Sequence, residues 1–269
     1  MDFLSRSRRI TYSPHPLTSF RATQSETWIN PQSHSIIEDS LIARVKGDTL
    51  VPSTSLPARK LPLNQLSDEE LLARFTHGFF GGMLFATERL ILASGVWRLM
   101  AVQIKGLSQT NPLTLVTGPT SLSLQSPKDI WSAAEIPMTT LLPLHSRLFG
   151  SFQVTDSQLV GQTQQTLAST ITSKMKVHDA QKNYSYIDFG FGRGNFAGCH
   201  RLSVHRQRSV DDISPGIEGT DPSDSVIEFR LSHFHCNPAG GKLHNLSILE
   251  SFHQIYAKLL FTDALRLLC

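Results

Sequence analysis

The alternation of apolar and polar residues is strictest in the last third of the chain. Over 226–235, Ile227, Phe229, Leu231, His233 and His235 share one parity, while Val226, Glu228, Arg230, Ser232 and Phe234 share the other. Side chains alternate across a strand, so this pattern predicts a strand whose apolar face is continued by two imidazoles. The same period puts His200 with Leu202 and Val204, opposite Cys199 and Arg201. It puts Asp188 with Tyr184 and Tyr186, opposite Ile187, Phe189 and Phe191. Strands are therefore expected over 184–191, 199–206 and 226–235. Shorter ones are expected over 97–104, 112–116, 147–154, 159–164 and 168–174, and a first one within 36–46.

Two segments carry the helical period instead. Ser67-Asp68-Glu69-Glu70 is a capping box, followed by Leu71, Leu72, Phe75 and Phe79 on one side. Gly78, Gly81 and Gly82 are expected to break or bend that helix, with a second short helix over 87–93. Ser247-Ile248-Leu249-Glu250 opens the last element, whose stripe of Leu249, Phe252, Ile255, Tyr256, Leu259, Leu260 and Leu267 predicts a helix of about twenty residues. Residues 1–35 read as an irregular N-terminal arm, with Pro14, Pro16 and Pro31, and residues 50–64 as a proline-punctuated linker. Residues 36–269 form one α+β domain in this reading.

The order is a strand, two short helices, a run of antiparallel strands and one long C-terminal helix. It resembles the helix-grip order of the START and Bet v 1-like superfamily, which includes polyketide cyclase-like proteins. Locally, Tyr186-Ile187-Asp188-Phe189-Gly190-Phe191-Gly192 followed by Gly198-Cys199-His200 looks like a hairpin of that superfamily. The resemblance implies a curved antiparallel sheet wrapped around the C-terminal helix with a cavity between them. It also implies an apolar ligand, lipid- or polyketide-like, and in some members its cyclisation, isomerisation or hydrolysis in secondary metabolism.

Charge and composition narrow the classes. The net charge is +3; residues 1–66 carry eight Lys/Arg against five Asp/Glu, and the remaining 203 residues carry 17 of each. Phosphate contacts need cations on the folded part, so no nucleic-acid partner is expected. No run approaches the ~20 apolar residues of a membrane helix. The longest candidate, 79–100, is interrupted by Gly81, Gly82, Glu88, Arg89 and Arg98. Arg6, Arg8 and Arg9 precede no apolar stretch, so no secretory signal is expected. A mitochondrial address stays open as an alternative to a flexible tail, with Asp2 speaking against it. Three sparse cysteines, Cys199, Cys236 and Cys269, contain no C-x-x-C pair. Neither a disulfide framework nor a thiolate zinc site is expected, and the cytoplasm is the default location.

Chemistry enters through few residues. Gly190-Phe191-Gly192-Arg193-Gly194 has the wrong spacing for a dinucleotide fingerprint and precedes a strand rather than a helix, so it reads as a hairpin. Arg193 at its tip is a candidate for a ligand carboxylate. His233-Phe234-His235 has metal-ligand spacing but lacks the carboxylate a cupin-like site would place a few residues later. No cofactor or metal is expected. His77, Glu88 and Arg89 flank the glycine-rich bend, which reads as a kinked amphipathic segment or as a gate. No G-x-S-x-G, P-loop or H-E-x-x-H occurs.

The expected function is therefore binding of an apolar small molecule, with acid–base chemistry by His200, His233 and His235 and with Asp188 as helper or base. Arg193, Tyr184, Tyr186, Phe229 and Tyr256 are the candidate ligand contacts. A non-catalytic carrier of the same fold is the competing class, ahead of a metal-dependent cupin-like enzyme or a scaffold.

Overall fold

The computed structural model describes residues 10–13, 20–54, 59–94, 102–104, 127–160, 184–207, 225–240 and 247–268. The strands are β1 (Ile10–Ser13), β2 (Ile36–Lys46), β3 (Leu50–Pro52), β4 (Lys60–Pro62), β5 (Asp129–Ile130), β6 (Arg147–Leu148), β7 (Phe152–Gln158), β8 (Ser185–Arg193), β9 (Phe196–Gln207) and β10 (Val226–Cys236). The helices are α1 (Gln24–Ile29), α2 (Asp68–Gly81), α3 (Ala86–Ala93) and α4 (Ser247–Leu268). Eight strands make one sheet in the order β1-β2-β10-β9-β8-β7-β6-β5, and β3 and β4 form a separate hairpin. All neighbours in the large sheet are antiparallel except β5 and β6.

The alternation read from the sequence holds on β8, β9 and β10. Leu41, Ala43, Val154, Ile187, Phe189, Leu202, Val204, Ile227, Phe229 and Leu231 share the principal core with α2 and α4. α2 packs on β8 and β9, and α4 packs on α2. Among the described residues the sheet meets α2 closely, and a sheet wrapped around the C-terminal helix is not shown. Phe75 of α2 joins the layers, with its ring 5.6 Å from both Phe229 and Phe261. A fully buried phenylalanine at such a junction contributes about 3–5 kcal/mol against truncation to alanine.

The opposite face carries a second, smaller core. Phe20, Ile29, Ile104, Ala197, Cys199, Phe234 and Cys236 are buried there. Part of it comes from the segment expected to be an irregular arm, which contains both β1 and α1. Thr23 caps α1 by accepting from the Glu26 N–H. Hydrophobic period gave no warning of a helix this short.

Two other local expectations change. Ser67 caps α2 by accepting from the Glu70 N–H, but the Glu70 carboxylate turns to Arg74 at 2.6 Å. The strand expected over 147–154 is broken into β6 and β7 by Phe149 (φ +52°) and Gly150 (φ +68°). The strands expected over 112–116 and 168–174, and most of those over 97–104 and 159–164, lie outside the described residues. Among the described residues no helix is long and apolar enough to cross a membrane.

Candidate functional site

β9 and β10 pair in a register that puts His200 opposite His233. β10 and β2 put His233 opposite Asp39, and β8 and β9 put Phe189 opposite His200. One row of the helix-side face thus reads Asp39, His233, His200, Phe189 across four strands. The next row is Ile37, His235, Gly198, Phe191. Side chains directly opposite one another on a sheet lie within contact distance, so the imidazoles are brought together by register alone.

The rings pack accordingly. The His200 and His233 centroids are 5.0 Å apart, and His233 and His235 are 5.3 Å apart. Phe191 lies 4.8 Å from His200 and 5.8 Å from His233, nearly parallel to the latter at 3°. Gly198 makes this possible, because a Cβ there would come within 2.6 Å of the Phe191 ring. Phe79 of α2 and Phe152 of β7 close around His200 at 6.0 and 6.1 Å. Phe196, 54 % exposed at the hairpin end, reaches to 5.9 Å from His235. The Asp39 carboxylate approaches His233 Nδ1 at 3.7 Å, an ion-pair distance when the ring is protonated. His233 is buried, while His200 and His235 are partly open. The cluster is an imidazole group with one carboxylate beside it, at the aromatic edge of the core.

Asp188 is not part of it. Its strand turns it to the other face, where Arg201 donates to both carboxylate oxygens at 2.7 Å. Both residues are buried, and Ser25 of α1 donates to the same carboxylate at 2.5 Å. Burial works against the charge on Arg201, yet the Asp188 carboxylate holds its guanidinium above the ordinary value. Asp188 is therefore an ion-pair partner and corrects the expectation of a base beside the histidines. The solvent-facing alternative is also excluded.

Tyr184 and Tyr186 share that second face. The Arg201 guanidinium lies 4.1 Å over the Tyr186 ring, and that of Arg230 lies 5.5 Å over Tyr184. The Tyr186 hydroxyl donates to Asp156 at 2.9 Å, and burial with the neighbouring carboxylates raises its pKa. Phe229 is core, against Phe75. Tyr256 on α4 meets Glu88 of α3, whose carboxyl is raised by burial and lowered in part by that hydroxyl. Arg193 is exposed at the end of β8, in register with Phe196. The five expected ligand contacts thus do not converge on one place. Glycine does play the expected part in the hairpin: Gly192 (φ +98°) and Gly194 (φ +65°) take left-handed backbone.

His77 of α2 meets the Ile136 carbonyl at 3.0 Å. Arg89 of α3 donates to the Phe80 and Gly82 carbonyls, tying the end of α2 in place. Among the described residues no set of three or more His, Cys, Asp or Glu side chains is arranged to hold a metal ion. Asp39 and Phe196 were not singled out in the sequence, and Phe191 and Gly198 were read only as parts of the hairpin. Only the pairing of β2 with β10, nearly 200 positions apart in the chain, reveals the first. The chain matches no family model, no curated protein and no solved structure.

Proposed function

We propose that the His200–His233–His235 group binds an apolar, ring-bearing small molecule and moves a proton on it. The observation that carries this reading is the row Asp39, His233, His200 beside Phe191. It places a carboxylate–imidazole pair and a second imidazole on one aromatic shelf. A carboxylate beside an imidazole favours its protonated form, the form left after the ring has removed a proton. His233 is the base in this reading, Asp39 stabilises the resulting imidazolium, and His200 donates to the oxygen on which enolate charge develops. Ring closure, isomerisation or hydrolysis of a polyketide-like ketone all pass through that step. Phe191, Phe196 and Phe79 supply the apolar contact, in place of Tyr184 and Tyr186. The helix-grip kinship and a cytoplasmic setting belong to the same proposal. The described thiols, Cys199 and Cys236, are both buried.

The test needs no knowledge of the natural substrate. Incubating 2-tetralone with the protein in D2O and following its α-proton signals by NMR reads proton abstraction directly. The protein is expected to speed the exchange, and His233→Ala to slow it by about a hundredfold, within the range general-base catalysis supplies. Shifts of the Phe196 and His235 resonances without faster exchange would leave a carrier. Neither shifts nor exchange would sink the reading.

A further inference from the structure

The second face of the sheet holds a buried aspartate, Asp188, paired with Arg201, and a half-buried aspartate, Asp156, beside it. Asp156 of β7 and Asp188 of β8 are cross-strand partners, next to the register shift that follows Val154. Arg201 serves Asp188 with both of its bonds, so Asp156 is left with the Tyr186 hydroxyl and the Ser157 N–H. Two carboxylates this close do not both ionise at ordinary cost when water is excluded. Burial first, and then the Asp188 charge, pushes the Asp156 carboxyl up to about 6.

What covers Asp188 and Arg201, and so the partner charge of Asp156, includes the segment 20–34. Phe20 lies 4.6 Å under the Arg201 guanidinium and 4.8 Å from Phe234. Ser25 donates to Asp188 and meets the Thr155 hydroxyl at 2.9 Å. Both ends of this segment are held in an unfavourable backbone: Ala22 has φ +63° and Ser33 has φ +52°. Left-handed backbone at residues with a Cβ stores strain, and here it brackets one short helix. The surface beneath is mixed: the apolar cluster of Ala197, Cys199, Phe234 and Cys236 surrounds the buried Asp188–Arg201 pair. Strained hinges, a helix of 6 residues and a buried ion pair within the seat favour a reversible contact.

We propose that residues 20–34 form a strap that opens and closes over the Asp156–Asp188–Arg201 cluster, and that ionisation of Asp156 sets how tightly it closes. Asp156 is faced by Asp188 and Tyr186 from β8 and by Arg201 and Cys199 from β9. The acid of α1, Glu26, is turned to Arg21, the Ala22 N–H and Asn30, at the hinge. Its charge therefore belongs to the hinge. A raised carboxyl favours the closed state when protonated, so closure is strongest below the open-state value near 4 and weakens as pH rises through 6.

Hydrogen exchange on the full chain, corrected for intrinsic rates, tests this. The Thr27 and Asn30 amides, which bond within the strap, report its opening. Their opening equilibrium is expected to rise about tenfold between pH 5 and pH 8, relative to amides of β9 and β10. Asp156→Asn is expected to flatten that step, and Ser25→Ala to increase opening at both pH values. A wild-type chain with equal strap protection at the two pH values overturns the proposal, as does a step that survives in Asp156→Asn. If Asp156→Asn does not fold, Ala22→Gly takes its place. Relief of hinge strain should raise strap protection several-fold at both pH values, and unchanged protection counts against the device.

Discussion

Asp188 shows how far alternation alone reaches. Its parity with Tyr184 and Tyr186 was legible, and that parity holds. What it faces depends on register. The turn at Gly194–Asn195 pairs Arg193 with Phe196, and this forces Asp188 against Arg201. A bidentate pair under aromatic rings then replaces the base expected there. Arg201→Met tests this directly: it leaves Asp188 buried without its cation. Losing one partner of a buried pair costs about 3–5 kcal/mol, whereas replacing both by apolar groups is close to neutral. Urea unfolding is expected to show a loss of that size for Arg201→Met, with partial recovery when Asp188→Leu is added. A single-variant loss under about 1 kcal/mol would contradict the pair's burial. The imidazoles behave differently. Their shared face was readable from period two, and their convergence followed once β9 and β10 proved adjacent. Asp39 stayed hidden because no local pattern ties it to His233.

Elements were legible where they are long and periodic. β8, β9, β10 and α2 match the hydrophobic period closely, α3 begins within a residue of its expected start, and α4 has the expected length although Ile255 of its expected stripe is 63 % exposed while Phe261 and Ala264 are buried. β1, β3, β4, β5 and α1 were missed, at 4, 3, 3, 2 and 6 residues, because so few positions carry no period. The glycines of α2 were read as breakers, but Gly78 has another task inside the helix. A Cβ at Gly78 would lie 2.7 Å from the Ala264 carbonyl oxygen and 2.9 Å from its Cα. α2 and α4 thus approach through bare backbone. The two physical effects of Gly78→Ala oppose each other. Helix propensity gains up to about 1 kcal/mol, while forcing packed helices apart costs roughly 1–3 kcal/mol. Because the neighbouring atoms are backbone rather than a side-chain tip, packing is expected to win. Thermal unfolding should show a lower Tm for Gly78→Ala, and a higher one would mean that α4 does not sit where the structure puts it.

At the scale of the whole molecule, the sequence supported an α+β class and a large antiparallel sheet, but not the order of strands or the helix that lies on it. Those depend on pairings between distant segments, β2 with β10 above all, which bring the two ends of the domain together. The N-terminal arm is the clearest consequence. Residues 1–35 look dispensable in composition, yet β1 covers the edge of β2 and Phe20 and Ile29 complete the second core. An unpaired edge exposes backbone donors and acceptors to other chains. Removing the segment also strips cover from Phe234, Cys199 and the Asp188–Arg201 pair. A chain starting at residue 36 is therefore expected to unfold at least roughly 10 °C lower, since each kcal/mol shifts Tm by about 2–4 °C in a protein of this size. It should also self-associate in light scattering, through the bared β2 edge. An unchanged Tm with a monodisperse monomer would mean that the first 35 residues are an appendage to a core complete without them. The strap would then have no structural weight beyond its own contacts.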